Sequence, residues 1–339
     1  MKFFRRFFFI ILFAVSGFTQ LKAQTITGIT GVSFTVSNLD KALEFYTETL
    51  PFQKDTVFLL KGENIQQLFN VQDTSLLVKV ARLRLGDEQI ELMEFHSEII
   101  SGRKIPADSR SNDLWFQHIA IVVSDMANAY QQLSENDVTH VSTSPQTLPA
   151  YLPAAAGISA FYFRDPDGHN LELIHFPAGK GDPKWQHGGD KLFLGIDHTA
   201  IGIEATKPSL EFYKNILGLN IAGASENYGT EQEHLNQVFG ARLKITGLKA
   251  KSGIGLEFLD YIAPPGGRPY PEDTKPGDLW YWQTIFKVSG INELFQKLKM
   301  GGFDILSEMP NNIEPFGLGG KLGFIACDPD GHALLFIEE

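Results

Sequence analysis

The sequence predicts an α+β protein built from four copies of one βαβββ module. Two observations support this fold class. Segment 102–115 returns as 267–280 without a gap, and the Asp-Pro-Asp-Gly-His motif at 165–169 returns at 328–332. Because these offsets are nearly constant, the chain consists of two homologous halves rather than chance similarities. Each half also contains two places where an alternating strand runs into a capped helix, which divides it into two modules.

The N-terminus is typical of a secretory signal peptide spanning residues 1–23. Lys2, Arg5 and Arg6 precede the apolar run 7–15, and Ala23 ends a segment of small and polar residues. The apolar run is shorter than the ~20 residues a membrane-spanning helix needs. Cleavage after Ala23 is therefore expected, which predicts a periplasmic or secreted protein without stable membrane insertion.

The first module shows the repeated pattern clearly. Its alternating strand 32–36 ends just before Asn38, which can cap a helix that continues through residues 39–50. Two further strands are predicted at 76–85 and 89–95, where apolar residues recur.

The other three modules open in the same way. Their first strands are predicted at 118–123, 198–203 and 283–288. In the third module, Pro208 suits the first turn of the helix that follows. A stretch rich in Gly, Pro and charged residues, 177–190, indicates a linker between the halves. The predicted domains are therefore 24–183 and 190–339.

Net charge and cysteine content limit the kinds of partner and of cross-link that are expected. The formal net charge is -11, whereas nucleic-acid binding requires basic stripes that neutralise phosphates. Cys327 is the sole cysteine, so an internal disulfide is excluded. A small-molecule partner is expected, and the oligomeric state is left open.

The modules resemble those of the vicinal-oxygen-chelate superfamily, which includes glyoxalase, bleomycin-resistance and extradiol-dioxygenase-like proteins. The resemblance covers nearly the whole chain after the signal peptide. It rests on openings such as 118–125 and on closing runs such as 165–173. It implies that modules pair into two cupped, incompletely closed mixed β-barrels, one in each half of the chain.

The resemblance also implies a metal site at the first and last strands of each module, where inward-facing residues converge. In the first half, the matching positions are Gly31, Glu91, His118 and Glu172. In the second half, they are His198, Glu257, Gln283 and Leu335. Gly31 and Leu335 lack ligand atoms, so each half keeps three candidates. We expect the first half to be the better site, because Gln283 is neutral.

A histidine with two carboxylates suits Fe2+, Mn2+, Zn2+ or Ni2+. An unfilled corner would leave a coordination position for substrate. Glu172 is the first choice for a general base, followed by Glu91. An ion pair between Glu91 and an arginine, such as Arg82 or Arg84, is the structural alternative. The recurring Arg103 and Arg268 suit either a salt bridge between modules or recognition of an anionic substrate.

The leading functional hypothesis is an exported, metal-dependent, glyoxalase-like enzyme of lyase or isomerase type, acting on a small vicinally oxygenated substrate. A ring-cleaving dioxygenase is the second hypothesis. Members of that branch usually carry two histidines and one glutamate in the second domain, where this chain has His198, Gln283 and Leu335. The third is a non-enzymatic small-molecule binding protein, which the lost positions Gly31 and Leu335 favour.

Overall fold

A computed structural model describes residues 25–100, 102–314 and 317–339. Within these residues, two mixed, curled β-sheets carry short helices, which confirms the predicted α+β class. The predicted signal peptide lies outside the described residues, so export stays a prediction. In the described part of the chain, no helix is long and apolar enough to cross a membrane.

The first and third modules share one plan, with an extra helix between their second and third strands. The first contains β1 (Thr25–Thr35), α1 (Leu39–Glu44), β2 (Gln53–Lys61), α2 (Glu63–Phe69), β3 (Leu77–Leu85) and β4 (Glu88–His96). The third contains β10 (Phe193–Ile203), α4 (Thr206–Leu210), β11 (Asn220–Tyr228), α5 (Thr230–Asn236), β12 (Arg242–Lys249) and β13 (Gly255–Ala263). α1 and α4 each continue as a π-helical stretch, Phe45–Thr49 and Glu211–Ile216.

In the second and fourth modules, the described residues contain no α-helix between the second and third strands. The second contains β5 (Gln117–Val123), α3 (Met126–Glu135), β6 (Thr139–His140), β7 (Gln146–Thr147), β8 (Ser159–Arg164) and β9 (Asn170–His175). The fourth contains β14 (Trp282–Ser289), α6 (Ile291–Met300), β15 (Asn311–Asn312), β16 (Leu322–Cys327) and β17 (Ala333–Glu338). A 3-10 helix, Pro183–His187, lies in the linker between the halves.

Each sheet combines modules from both halves of the chain. Among the described residues, sheet A has the strand order β15-β16-β17-β14-β1-β4-β3-β2, and so joins the first and fourth modules. Sheet B has the order β11-β12-β13-β10-β5-β9-β8-β6, with β7 beside β8, and joins the second and third modules. The joining pairs are antiparallel: β1 with β14, and β10 with β5.

The expectation that the two modules of one half share a cup is therefore wrong. All four modules open with a similar strand, so local pattern does not specify which opening strands pair. The linker instead returns β10 antiparallel onto β5. The segment between β4 and β5 crosses to the other sheet. The predicted boundaries 24–183 and 190–339 describe sequence halves, and neither half coincides with a sheet.

Alternation along the strands separates the core from the cups. Ile90 and Leu92 on β4 are fully buried in the large core cluster, and so are Leu171 and Leu173 on β9. Successive strand residues face opposite sides of a sheet. The intervening glutamates, Glu91 and Glu172, therefore face the cups, as their apolar neighbours predict.

The repeated Gly-Arg…Asp-Leu-Trp segments form crossed salt bridges between the halves. Arg103 Nη2 donates to Asp278 Oδ2 at 2.7 Å, and Arg268 Nη2 donates to Asp113 Oδ2 at 2.7 Å. Both aspartates are almost completely buried. The salt-bridge alternative for these arginines is thus the one that the structure contains.

The two Asp-Pro-Asp-Gly-His turns connect the modules within each half. Tyr46 OH donates to Asp165 Oδ2 at 3.2 Å, and Tyr213 OH donates to Asp328 Oδ2 at 2.9 Å. Each tyrosine belongs to the helical segment of the preceding module. Modules of one half are therefore tied by these buried hydrogen bonds, although they contribute to different sheets.

Candidate metal-binding and active site in sheet B

Four candidate residues meet on the four central strands of sheet B. His118 lies on β5, Glu172 on β9, His198 on β10 and Glu257 on β13. In the strand register, Ala120 on β5 is paired with both Glu172 and His198. Residues paired in register share one face of a sheet. The small alanine side chain leaves space between its two neighbours, into which their functional groups extend.

The functional groups approach one another closely. His118 Nε2 lies 3.1 Å from Glu172 Oε2, and His198 Nε2 lies 3.7 Å from the same oxygen. Ligand atoms of these three residues lie within 4.8 Å of one another. Glu257 Oε2 lies 3.4 Å from His198 Nε2 and extends the cluster by a second carboxylate.

The histidine nitrogens facing this cluster have the character of ligand atoms. Nε2 of His118 and of His198 is buried and makes no hydrogen bond of good geometry within the described chain, although a carboxylate oxygen lies 3.1 Å from the former and 3.4 Å from the latter. A buried polar atom without a partner costs about 1–3 kcal/mol. Two such nitrogens beside carboxylate oxygens match the imidazole and carboxylate donor set of first-row divalent metals.

Asp197 and Trp185 orient His198. His198 Nδ1 lies 3.0 Å from Asp197 Oδ2, and Trp185 Nε1 donates to Asp197 Oδ1 at 2.6 Å. A carboxylate on one ring nitrogen fixes the ring and leaves the other nitrogen as the metal ligand. Sequence reasoning missed both residues, although an aspartate directly before His198 was an available signal.

The electrostatics of the cluster favour an added cation. Burial lowers the pKa of His198, but Glu257, Asp197 and Glu172 outweigh it and raise that pKa to about 10. Burial raises the pKa of Glu257 to about 7, an effect that His198 opposes. Burial lowers the pKa of His118, and Glu172 opposes this shift. Negative charge therefore accumulates around a single readily protonated imidazole, which a divalent cation would neutralise.

A cavity of about 520 Å³ opens beside the cluster. Glu172, His198 and Glu257 contribute to its wall, together with apolar residues such as Ile174 and Leu235. Its size and mixed lining suit a small organic ligand with a few polar groups.

The structure separates Glu91 from this site. Glu91 lies on β4 in sheet A, where Arg82 of β3 is its register partner. Arg82 Nη2 donates to Glu91 Oε1 at 2.6 Å, and Arg82 Nε donates to the same oxygen at 3.0 Å. The prediction that Glu91 joins His118 and Glu172 is wrong, because the two groups lie on different sheets. The alternative ion pair with Arg82 is present.

Gln283 also lies outside the site, on β14 of sheet A. Ser33 Oγ donates to Gln283 Oε1 at 3.1 Å, and Gln283 Nε2 donates to the Tyr281 hydroxyl at 2.8 Å. The prediction that Gln283 joins His198 and Glu257 is therefore wrong. Its amide is engaged in a buried hydrogen-bond network instead.

The two predicted ligand positions that lack ligand atoms lie in the same sheet. Gly31 and Leu335 both belong to sheet A, as Gln283 does. All three departures from the ligand pattern fall in the first and fourth modules. That grouping was the signal in the sequence that these two modules form one cup.

Three comparisons with known proteins agree with this architecture. The model of the Glyoxalase/Bleomycin resistance protein/Dioxygenase superfamily matches residues 28–173. A relative, 2-epi-5-epi-valiolone epimerase from Actinomyces sp, is 32% identical over 151 residues, which are 44% of this chain and 79% of that protein. Glyoxalase I from Zea mays superimposes with a TM-score of 0.59 at 16% identity, over 93% of each chain. A putative dioxygenase from Bacillus subtilis has a TM-score of 0.56 at 12% identity, over 93% of this chain and 86% of its own. At these identities the structural matches concern the fold.

Proposed function

Because this chain belongs to the glyoxalase, bleomycin resistance protein and dioxygenase superfamily, we propose that it is a metal-dependent isomerase or epimerase. Its substrate would be a small molecule with two neighbouring oxygen atoms. The observation that supports this proposal is the convergence of His118, Glu172 and His198, of which Glu172 and His198 line a cavity. The epimerase named above supports the reaction type.

His118, Glu172 and His198 would hold the ion, and Glu257 would be a fourth ligand. Imidazole and carboxylate ligands suit Fe2+, Mn2+, Zn2+ or Ni2+. The bound ion would act as a Lewis acid that polarises a substrate carbonyl and so acidifies the neighbouring C–H bond. The unpartnered Nε2 atoms of the two histidines support this assignment.

Two carboxylates would move the proton. Glu172 lies on β9 and Glu257 on β13, which are the outer two of the four central strands. The two histidines lie on the inner two, β5 and β10. An epimerase must remove a proton from one face of a carbon and return one to the other face. General bases on both sides of the site meet that need.

Glu257 replaces Glu91 as the second candidate base. The Glu257 side chain is 27% exposed, against 7% for Glu172, and it lines the cavity. A substrate can therefore reach Glu257 more directly. Glu172 keeps the double role of ligand and base that the sequence predicts, whereas Glu91 is engaged by Arg82.

Metal analysis of the purified full chain tests this proposal. We expect about one equivalent of divalent metal in the wild type, after loading if necessary, and loss of tight binding in His118→Ala and His198→Ala. Glu91→Gln, at the matching position of sheet A, is the control and should retain the metal. A wild type that binds no divalent metal, or equal metal loss in the Glu91 variant, would overturn the proposal.

A second function is favoured by one feature of the same site. Two histidines and one carboxylate are also the ligand set of non-heme Fe2+ oxygenases. A ring-cleaving dioxygenase is therefore the runner-up, and oxygen consumption by the Fe2+-loaded protein with catechols distinguishes it. Metal-dependent ligand binding without any turnover would instead indicate a binding protein.

A further inference from the structure

Two buried amides lie on the third-module side of the cavity. Asn227 on β11 and Gln232 on α5 both line it, and their exposed fractions are 2% and 1%. Asn227 Oδ1 and Gln232 Oε1 have no hydrogen-bond partner in the described segments. Buried acceptors are almost always paired in folded proteins, so two unpaired ones in one cavity wall require an explanation.

The Gln232 amide is held in place by its neighbours. Gln232 Nε2 donates to Asn236 Oδ1, and Asn236 Nδ2 donates to the Tyr261 hydroxyl. These contacts occupy the amide nitrogen of Gln232 and leave its oxygen for the cavity. The wall thus presents one acceptor, Gln232 Oε1, whose direction is set before a ligand arrives.

The first module shows that the fold does not need these amides. β2 and α2 match β11 and α5 residue for residue, and each helix follows a glycine of nearly identical backbone conformation. Leu60, Ile65 and Phe69 occupy the positions that correspond to Asn227, Gln232 and Asn236. All three belong to an apolar cluster in sheet A. The same backbone therefore buries apolar side chains in one sheet and unpaired amides in the other.

We propose that Asn227 and Gln232 form a hydroxyl-binding subsite, and that the ligand of this cavity is an uncharged polyhydroxylated ring compound. Ligand hydroxyl groups would donate to Asn227 Oδ1 and Gln232 Oε1. The vicinal oxygen pair would face His198 and Glu257, a second contact that rests on the proposed function.

The chemistry of the wall specifies this ligand class. An amide oxygen accepts hydrogen bonds and carries no charge, so it binds a neutral hydroxyl without a counterion. Apolar residues beside the amides, such as Leu235 and Ile245, suit the C–H faces of a ring. β11 is separated from β13 by β12 alone. A ligand that contacts both Asn227 and Glu257 must therefore carry hydroxyls away from its reacting oxygen pair.

Calorimetric titration of the metal-loaded protein with two probes tests the subsite. α-Hydroxycyclohexanone carries the vicinal oxygen pair and no further hydroxyl, whereas a pentahydroxycyclohexanone (an inosose) carries both. We expect tighter binding of the inosose by the wild type. Asn227→Leu and Gln232→Ile copy the first module, and each should weaken inosose binding about tenfold. Their metal content and their affinity for α-hydroxycyclohexanone should not change.

Asn220→Leu, an exposed position on the same strand, is the matched control and should bind both probes like the wild type. Equal wild-type affinity for the two probes would overturn the subsite without requiring any variant to fold. Equal weakening of both probes by Gln232→Ile would also overturn it. If the wild type takes up no metal but binds inosose, and Asn227→Leu weakens that binding, the subsite is supported and the proposed function is refuted.

Discussion

Sheet A and sheet B are two copies of one cup that have diverged at corresponding positions. Sheet B carries His118, Glu172, His198 and Glu257. The corresponding positions in sheet A are Gln283, Leu335, Gly31 and Glu91. The carboxylate that sheet A retains is neutralised by Arg82. Divergence is therefore concentrated in one cup, and the other keeps a side chain with candidate ligand atoms at all four positions.

The interiors of the two cups also differ in packing and polarity. In sheet A, apolar side chains such as Leu60, Ile285 and Ile337 pack into one cluster. In sheet B, a cavity of about 520 Å³ lies beside clustered carboxylates and unpartnered imidazole nitrogens. Buried apolar surface stabilises a fold, whereas buried unpaired polar groups destabilise it. One copy thus supports the fold, and the second copy holds the candidate site.

The largest effect should come from replacing Glu172 in sheet B. Hydrogen–deuterium exchange at the carbon beside the inosose carbonyl, followed by NMR, is the readout. Glu172→Gln should slow this exchange at least about a hundredfold, because it removes a base and a ligand. Glu91→Gln should exchange at the wild-type rate. A comparable loss in both variants would show that the two cups act together.

Truncating an equivalent core residue in each cup should lower the free energy of unfolding by different amounts. Ile337 in sheet A is enclosed by its cluster, whereas the equivalent Ile174 in sheet B lines the cavity. Ile337→Ala should lower the free energy of unfolding by about 2–5 kcal/mol, and Ile174→Ala by less, because one side of Ile174 already lacks packing. Urea denaturation curves with unchanged slopes provide the comparison. Equal losses would indicate that both cups are equally packed.

A smaller effect should appear in how the stability of the metal-free protein depends on pH. The folded-state pKa of Glu257 is raised from 4.5 to about 7, so the folded state binds more protons than the unfolded state in that window. The pKa of His198 is raised from 6.5 to about 10, so its stabilisation is complete below 6.5 and is lost as the pH rises towards 10. Both shifts make stability fall as the pH rises.

Thermal unfolding in a chelator should therefore give a lower Tm at about pH 9 than at about pH 5.5, with a difference on the order of 1 kcal/mol in stability. Glu257→Gln should flatten the part of this dependence below about pH 7. The metal-loaded protein should lose its added stability on acidification, because protons compete for the ligands. A Tm of the metal-free protein that rises across this range would contradict the assigned pKa shifts.

Much of the fold could be predicted from local pattern. Strand alternation around Glu91 and Glu172 predicted that both side chains face a cup, and their fully buried apolar neighbours agree. The turn motifs at Asp165 and Asp328 marked the ends of related modules. These features depend on residues close together in the chain, whose geometry is set by side-chain alternation and turn chemistry.

The sequence by itself determined the α+β class, the four modules and the strand positions at which side chains with ligand atoms face a cup. Tertiary structure alone decided that His118 and Glu172 meet His198 and Glu257, and that Glu91 meets Arg82. The reason is that four modules of similar pattern offer interchangeable opening strands. The pairing of β10 with β5 is a contact between the halves, and it depends on the path of the linker and on strand register.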